Sequence, residues 1–257
     1  AMLMSAILVE TRGNIVHLTL NRPPVNALSL ALCTEIADIF EQTSERTDVQ
    51  CAVLGATGAQ AFCAGLDLNE FRTHKAEDDE AHAAVVRRVF SAIRNCAIPV
   101  IAAVNGPALG AGCVIASACD IRLAAENANF GLPEINVGSC AGITHMGRHL
   151  PQGLLRRMVF TGKPIGAQEA WRAGFVDSVF PLSDLGDAAR TLADVIASKA
   201  PLALRMGKEA LNRVEFLPVE DGYALEQGYS LRLLHTEDAR EATQAAIEKR
   251  QPLFAGR

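Results

Sequence analysis

Strand-like apolar runs alternate with stretches of helical periodicity, and this alternation constrains the chain most. Residues 52–54 (Ala-Val-Leu) and 99–104 (Pro-Val-Ile-Ala-Ala-Val) read as buried core strands, and residues 120–124 as another strand. Between the first two, residues 80–96 put Val85, Val86, Val89 and Ile93 on one helical side. Residues 109–118 form a helix-length stretch before the next strand. Crossovers of this length allow neighbouring strands to pair in parallel, which predicts an α/β fold. Upstream, residues 7–10 and 15–20 read as strands joined by a turn at Arg12-Gly13-Asn14. Asn21-Arg22-Pro23-Pro24 breaks the chain. Residues 28–44 then repeat Leu32, Ile36, Ile39 and Phe40 at helical spacing, with Ser29 as N-cap.

The second half changes character. From Gly142 onward the helical stretches are 145–150, 152–161, 167–173, 184–199, 202–213, 219–234 and 237–249, and only 176–180 reads as a strand. An α/β core over residues 1–200 and a helical region over 201–257 are therefore expected. Helices without a sheet of their own often pack on a neighbouring subunit, so an oligomer is expected too.

Composition excludes several classes. Apolar residues make up 49% and charged residues 21%, which is globular usage. The net charge of −5 lacks the basic excess of a nucleic-acid binder, and 5% aromatics offers few stacking platforms. The seven cysteines form no CxxC pair and sit mostly in apolar runs, which suits buried thiols in a reducing, cytoplasmic setting. Residues 1–10 lack the basic start of a signal peptide, and the apolar run at 98–104 is too short to span a membrane. Gly110-Ala111-Gly112 begins like a dinucleotide loop, but Ile115 stands where the third glycine belongs. Gly162-Lys163-Pro164 and Gly207-Lys208-Glu209 lack the Ser or Thr of a P-loop, and no G-x-S-x-G elbow occurs. His145 and His149 are four apart but lack further ligands, so no metal is expected.

Three segments remain: Ala61-Phe62-Cys63-Ala64-Gly65-Leu66-Asp67-Leu68; Asn105-Gly106-Pro107-Ala108-Leu109-Gly110-Ala111-Gly112-Cys113; and Phe130-Gly131-Leu132-Pro133-Glu134-Ile135-Asn136-Val137-Gly138. With Asn21-Arg22-Pro23-Pro24-Val25-Asn26-Ala27-Leu28 before them and Glu248-Lys249-Arg250 at the end, the sequence resembles the crotonase (enoyl-CoA hydratase/isomerase) superfamily over nearly its whole length. The resemblance implies a spiral ββα core, a C-terminal helical trimerisation region, homotrimers or dimers of trimers, and acyl-CoA thioester substrates without a separate cofactor.

It also implies roles. The backbone N–H groups of Leu66 and Ala111 would hold the oxygen of a thioester enolate, where preorganised donors are each worth a few kcal/mol. Ala111 stands where the family usually has glycine, and it keeps the N–H. Gly65, Gly110 and Gly112 are expected to let the thioester approach the backbone. The main chain of Cys63 and Ala64 would meet the adenine of CoA, while Arg22 and Lys249 would meet its phosphates. Asp67 is expected to be a turn or cap residue.

Hydratases of this family use two glutamates. Here the first position is Val114 and the second is Glu134. One carboxylate suffices to carry a proton from an α-carbon to a γ-carbon, so the pattern leans toward double-bond isomerisation. Hydration remains the alternative, with water, Cys140 or His145 filling the empty role. Hydrolysis, decarboxylation or C–C cleavage of an acyl-CoA is a further alternative, as is a weakly catalytic CoA- or RNA-binding protein.

Overall fold

The structure is a computed structural model and describes residues 5–257; the start of the stretch read for a signal peptide lies outside the described residues. β1 (Ile7–Arg12) and β2 (Ile15–Leu20) pair as an antiparallel hairpin. α1 (Leu30–Glu45) follows, and its N-cap is the expected Ser29, whose hydroxyl accepts from Leu32 N at 3.1 Å. β3 (Cys51–Ala56), the single turn α2 (Leu68–Phe71), α3 (Asp79–Arg94) and β4 (Val100–Val104) come next. Then follow β5 (Ala108–Leu109), α4 (Ala111–Ala118), β6 (Ile121–Ala125) and β7 (Asn129–Gly131). The remainder is α5 (Ile143–Gly147), α6 (Gln152–Thr161), β8 (Ile165–Gly166), α7 (Ala167–Arg172), β9 (Ser178–Phe180) and α8 (Leu182–Ala197). The chain ends with α9 (Pro201–Val214), α10 (Val219–Leu233) and α11 (Glu237–Glu248).

Six strands form one sheet in the order β1-β2-β3-β4-β6-β9, parallel from β2 onward. Strand alternation sends its side chains to two different cores. Val16, Leu18, Leu20, Ala52, Leu54, Ala102 and Val104 join the larger core with residues of α1, α3 and α4. Ile15, Cys51, Val53, Ile101, Ala103, Leu123 and Ala125 face the other way. There they meet Leu185, Ala189, Ala193 and Ala197, one stripe of α8 at four-residue spacing. Both faces of the sheet are thus covered at β3 and β4, which is why those strands read as continuous apolar runs, whereas β1 at the edge is exposed after Ile7.

A second, three-stranded sheet runs β5-β7-β8. The sequence expectation contained none of its strands. Residues 109–118 were expected to be one helix, but Leu109 belongs to β5 and the helix begins at Ala111. Strands of two or three residues have no readable periodicity; their partners define them. The other differences lie at boundaries. The stretch expected as a helix over 145–150 is α5 at Ile143–Gly147, the strand expected at 176–180 begins at Ser178, and α8 begins at Leu182 after Pro181.

Candidate active site

The small sheet brings the three segments together. Cys63 bridges to Ala108 of β5, and Leu109 N donates to Cys63 O at 3.0 Å. The amides of Phe62 and Cys63 donate to Pro107 O at 3.0 and 3.2 Å. On the other side, β5 pairs with β7, and Gly110 N donates to Gly131 O at 2.9 Å. The first segment is also held from behind. Leu28 N donates to Gly65 O at 2.8 Å, Asp67 N donates to Leu28 O at 2.9 Å, and Ala64 N donates to Val25 O at 3.0 Å.

The amides of Leu66 and Ala111 escape this stitching. Among the described residues, neither Leu66 N–H nor Ala111 N–H donates to any acceptor in the chain. Ala111 is the first residue of α4, where a helix has no internal acceptor to offer and its dipole favours negative charge. The two turns are in contact: a methyl on Gly65 would lie 3.6 Å from Ala111 N and 2.9 Å from Leu109 O.

The glycines of the second segment make room for the protein itself, which adds to their expected service to the thioester. Gly110 has φ 55, and a methyl on it would lie 2.8 Å from Glu134 Oε1. Its bareness admits the carboxyl beside Ala111. A methyl on Gly112 would overlap the carbonyl oxygen of Cys63, so that glycine lets α4 pack directly on the first segment.

Glu134 opens a short 3-10 turn, Pro133–Val137. Its Oε2 is buried with no partner among the described residues. Burial raises its pKa above the ordinary 4.5, which a bond to its own backbone opposes only in part. Val114, expected to stand where hydratases carry their other acid, is apolar and lies one turn into α4 from Ala111. Val114 is 2% exposed, and a methyl on Gly142 would meet Leu132 Cδ2 at 2.6 Å and Val114 Cγ2 at 2.9 Å.

The other expected residues lie around this centre. Cys63 has both main-chain groups engaged by Pro107 and Leu109, whereas no described residue donates to the carbonyl of Ala64. Arg22 donates to Ala27 O at 2.7 Å and to Asp67 Oδ2 at 2.8 Å. Asp67 is the N-cap of α2, accepting from Asn69 N at 3.0 Å, as expected of a turn residue. Lys249 is exposed at the end of α11, with φ 55. His145 is half-buried, its ring 5.0 Å from that of Phe90, and burial together with Arg148 and Arg94 lowers its pKa. Cys140 is exposed, whereas the other six cysteines are buried, as expected. His149 Nε2 lies 3.0 Å from Ser117 O, so each histidine of the pair has its own structural contact. No group of three metal-ligating side chains occurs among the described residues.

Asn26 was not singled out from the sequence. It is fully buried, and its side chain accepts from Arg22 N at 2.9 Å and donates to Thr57 O and Ala61 O at 3.1 and 3.2 Å. It ties the Pro-Pro turn to the segment bearing Leu66. Its position in the Asn-Arg-Pro-Pro-Val-Asn run was the available signal, since Asn at a turn commonly bonds backbone groups.

The family model described as Enoyl-CoA hydratase/isomerase matches residues 10–257. The chain belongs to the enoyl-CoA hydratase/isomerase family. Within it, the chain is 38% identical to a 2,3-dehydroadipyl-CoA hydratase of Escherichia coli (strain K12), over 99% of this chain and 100% of that protein. It is 35% identical to a carnitinyl-CoA dehydratase of Proteus mirabilis (strain HI4320), over 97% and 98%. A crystal structure of an enoyl-CoA hydratase from Bacillus anthracis superposes with a TM-score of 0.95 at 34% identity, covering 98% of this chain and 100% of that one. The fold is therefore the crotonase fold, and the protein is an enzyme of the hydratase/isomerase type.

Proposed function

We propose that this family member shifts a carbon–carbon double bond in an acyl-CoA through a thioester enolate, with Glu134 as the single acid/base. The amides of Leu66 and Ala111 hold the enolate oxygen. The Glu134 carboxylate takes a proton from the α-carbon, the electrons move through the conjugated system, and the same carboxyl returns the proton to the γ-carbon. No cofactor enters; the thioester supplies the electron sink. The carbonyl of Ala64, rather than the engaged Cys63, meets the adenine, and Arg22 and Lys249 meet the phosphates. The setting is cytoplasmic, the chain divides at residue 200 into core and helical region, and it assembles as a homotrimer or dimer of trimers.

The observation that supports this reading is the placement of one unpartnered carboxyl beside an unpartnered amide, with apolar Val114 at the second acid's position. Turnover of 3-enoyl-CoA and 2-enoyl-CoA substrates by the wild type and Glu134→Gln tests it. Isomerisation should dominate and fall at least 100-fold in the variant, because positioned acid–base groups contribute about 10²–10⁴-fold. Near-normal kcat would remove Glu134 from the mechanism.

Hydration is the second reading, favoured by the names of relatives such as the E. coli 2,3-dehydroadipyl-CoA hydratase and a short-chain-enoyl-CoA hydratase of Clostridium acetobutylicum. Val114→Glu separates the two. If the missing acid limits water addition, that variant should raise crotonyl-CoA hydration about tenfold or more. A wild type that already hydrates efficiently, with no gain in the variant, would favour the second reading.

A further inference from the structure

Away from Glu134, a cleft of about 520 Å³ opens between α9 and the end of α4. Ala118 and Cys119 line it, whereas Ala111 begins the same helix. Eight helical residues span roughly 12 Å, so the cleft opens about one helix length from Ala111. Its volume falls in the range of small-molecule sites, about 300–1,000 Å³.

Its charges do not balance. Lys208 is matched by Asp120 at 2.8 Å. Arg94 and Arg148, however, share the single carboxylate of Glu215, at 2.6 Å from each. That leaves one guanidinium charge without a counterion among the lining residues. Arg94 Nε and Arg148 Nη1 are both buried and have no acceptor among the described residues. The remaining lining includes Ile121, Ile196, Leu204 and Leu211.

The cleft is also kept open at a cost. Gly207 lies inside α9, where glycine is a poorer helix former than alanine. Nothing packs there: a methyl on Gly207 would meet no atom within 4 Å.

We propose that this cleft is a second binding site, for a carboxylate on a short-to-medium alkyl chain. The carboxylate takes the charge left over by Arg94 and Arg148, and the chain lies along Ile121, Ile196 and Leu204. Guanidinium pairs suit carboxylates because their planar N–H groups meet both oxygens.

Calorimetric titration of the assembled protein with octanoate, in saturating CoA, tests the proposal. Acetate supplies the charge without the chain, and octan-1-ol the chain without the charge. Octanoate should bind at least tenfold more tightly than either, with CoA leaving its affinity unchanged. Arg148→Gln should weaken it tenfold or more. Because that variant also loosens Glu215, Gly207→Leu is the second test: it fills the cleft, adds helix propensity, and should abolish octanoate binding while the circular dichroism stays unchanged. Octanoate no tighter than its controls, displacement by CoA, or undiminished binding to Gly207→Leu would each overturn the site. So would failure to bind because a neighbouring subunit fills the cleft.

Discussion

At the residue scale, the burial that would suit Glu134 to the proposed acid–base role also makes it costly. Burial raises its pKa, so the folded protein holds its proton more tightly than the unfolded chain does. Its favourable share of stability is whole below the ordinary value of 4.5 and is lost as pH rises through the folded value. Glu134→Gln should therefore melt at a higher temperature than wild type at pH 7 and at the same temperature near pH 4, as calorimetry over that range would show. With Glu134 acting as base, wild-type isomerisation should rise with pH through the same window. Gly112 makes the opposite point, since it does no chemistry and yet tolerates no change. Gly112→Ala drives a methyl into the Cys63 carbonyl and parts the two turns. It should cost about 2–3 kcal/mol in urea denaturation and reduce kcat far more than the same exchange at a surface glycine such as Gly153.

At the element scale, α4 presents a free amide at one end and needs its carbonyls satisfied at the other. Arg122, buried on β6, supplies that end. Its Nη1 donates to Cys119 O at 2.7 Å and Ala116 O at 3.3 Å, and its Nε donates to Phe175 O. The cation sits where the helix dipole is negative. Arg122→Leu leaves the carbonyls of Cys119 and Phe175 without their donor, while Ala116 O keeps the Cys119 amide at 3.3 Å, and a charged donor contributes about 1.5–3 kcal/mol per bond. The variant should lose about 3 kcal/mol of stability in chemical denaturation. Activity should fall with it, because α4 positions Ala111. The longer elements were legible in sequence for physical reasons: α1 and α3 repeat apolar residues at helical spacing, and β3 and β4 are apolar on both faces. β5, β7 and β8 were not legible, because two or three residues become a strand only when a partner lies beside them.

At the scale of the whole molecule, the helical region leaves apolar surface without cover. Phe216 and Val219 are 73% and 81% exposed, and Leu231, Ile247 and Leu253 are similarly bare. Isolated apolar residues are ordinary on a surface, but a run of them along α10 and its flanks suits contact between subunits. If the proposed trimer forms there, Phe216→Asp combined with Val219→Asp should lower the mass seen by light scattering toward that of a monomer, with helical content retained. A mass unchanged by both substitutions would place the subunit contact elsewhere.

Residue order alone determined the alternation of strand and helix and the parallel pairing, and it carried the resemblance that pointed to three segments and to Glu134 with Val114 in place of another acid. These depend on local periodicity and on residue type, which a linear string contains in full. Only the tertiary structure decided which amides stay free, that Gly110 makes room for Glu134 and Gly112 for Cys63, and that Arg94 and Arg148 share one counterion. Those depend on distances between residues far apart in the chain, set by how the small sheet pairs and how helices pack, and no local pattern encodes them.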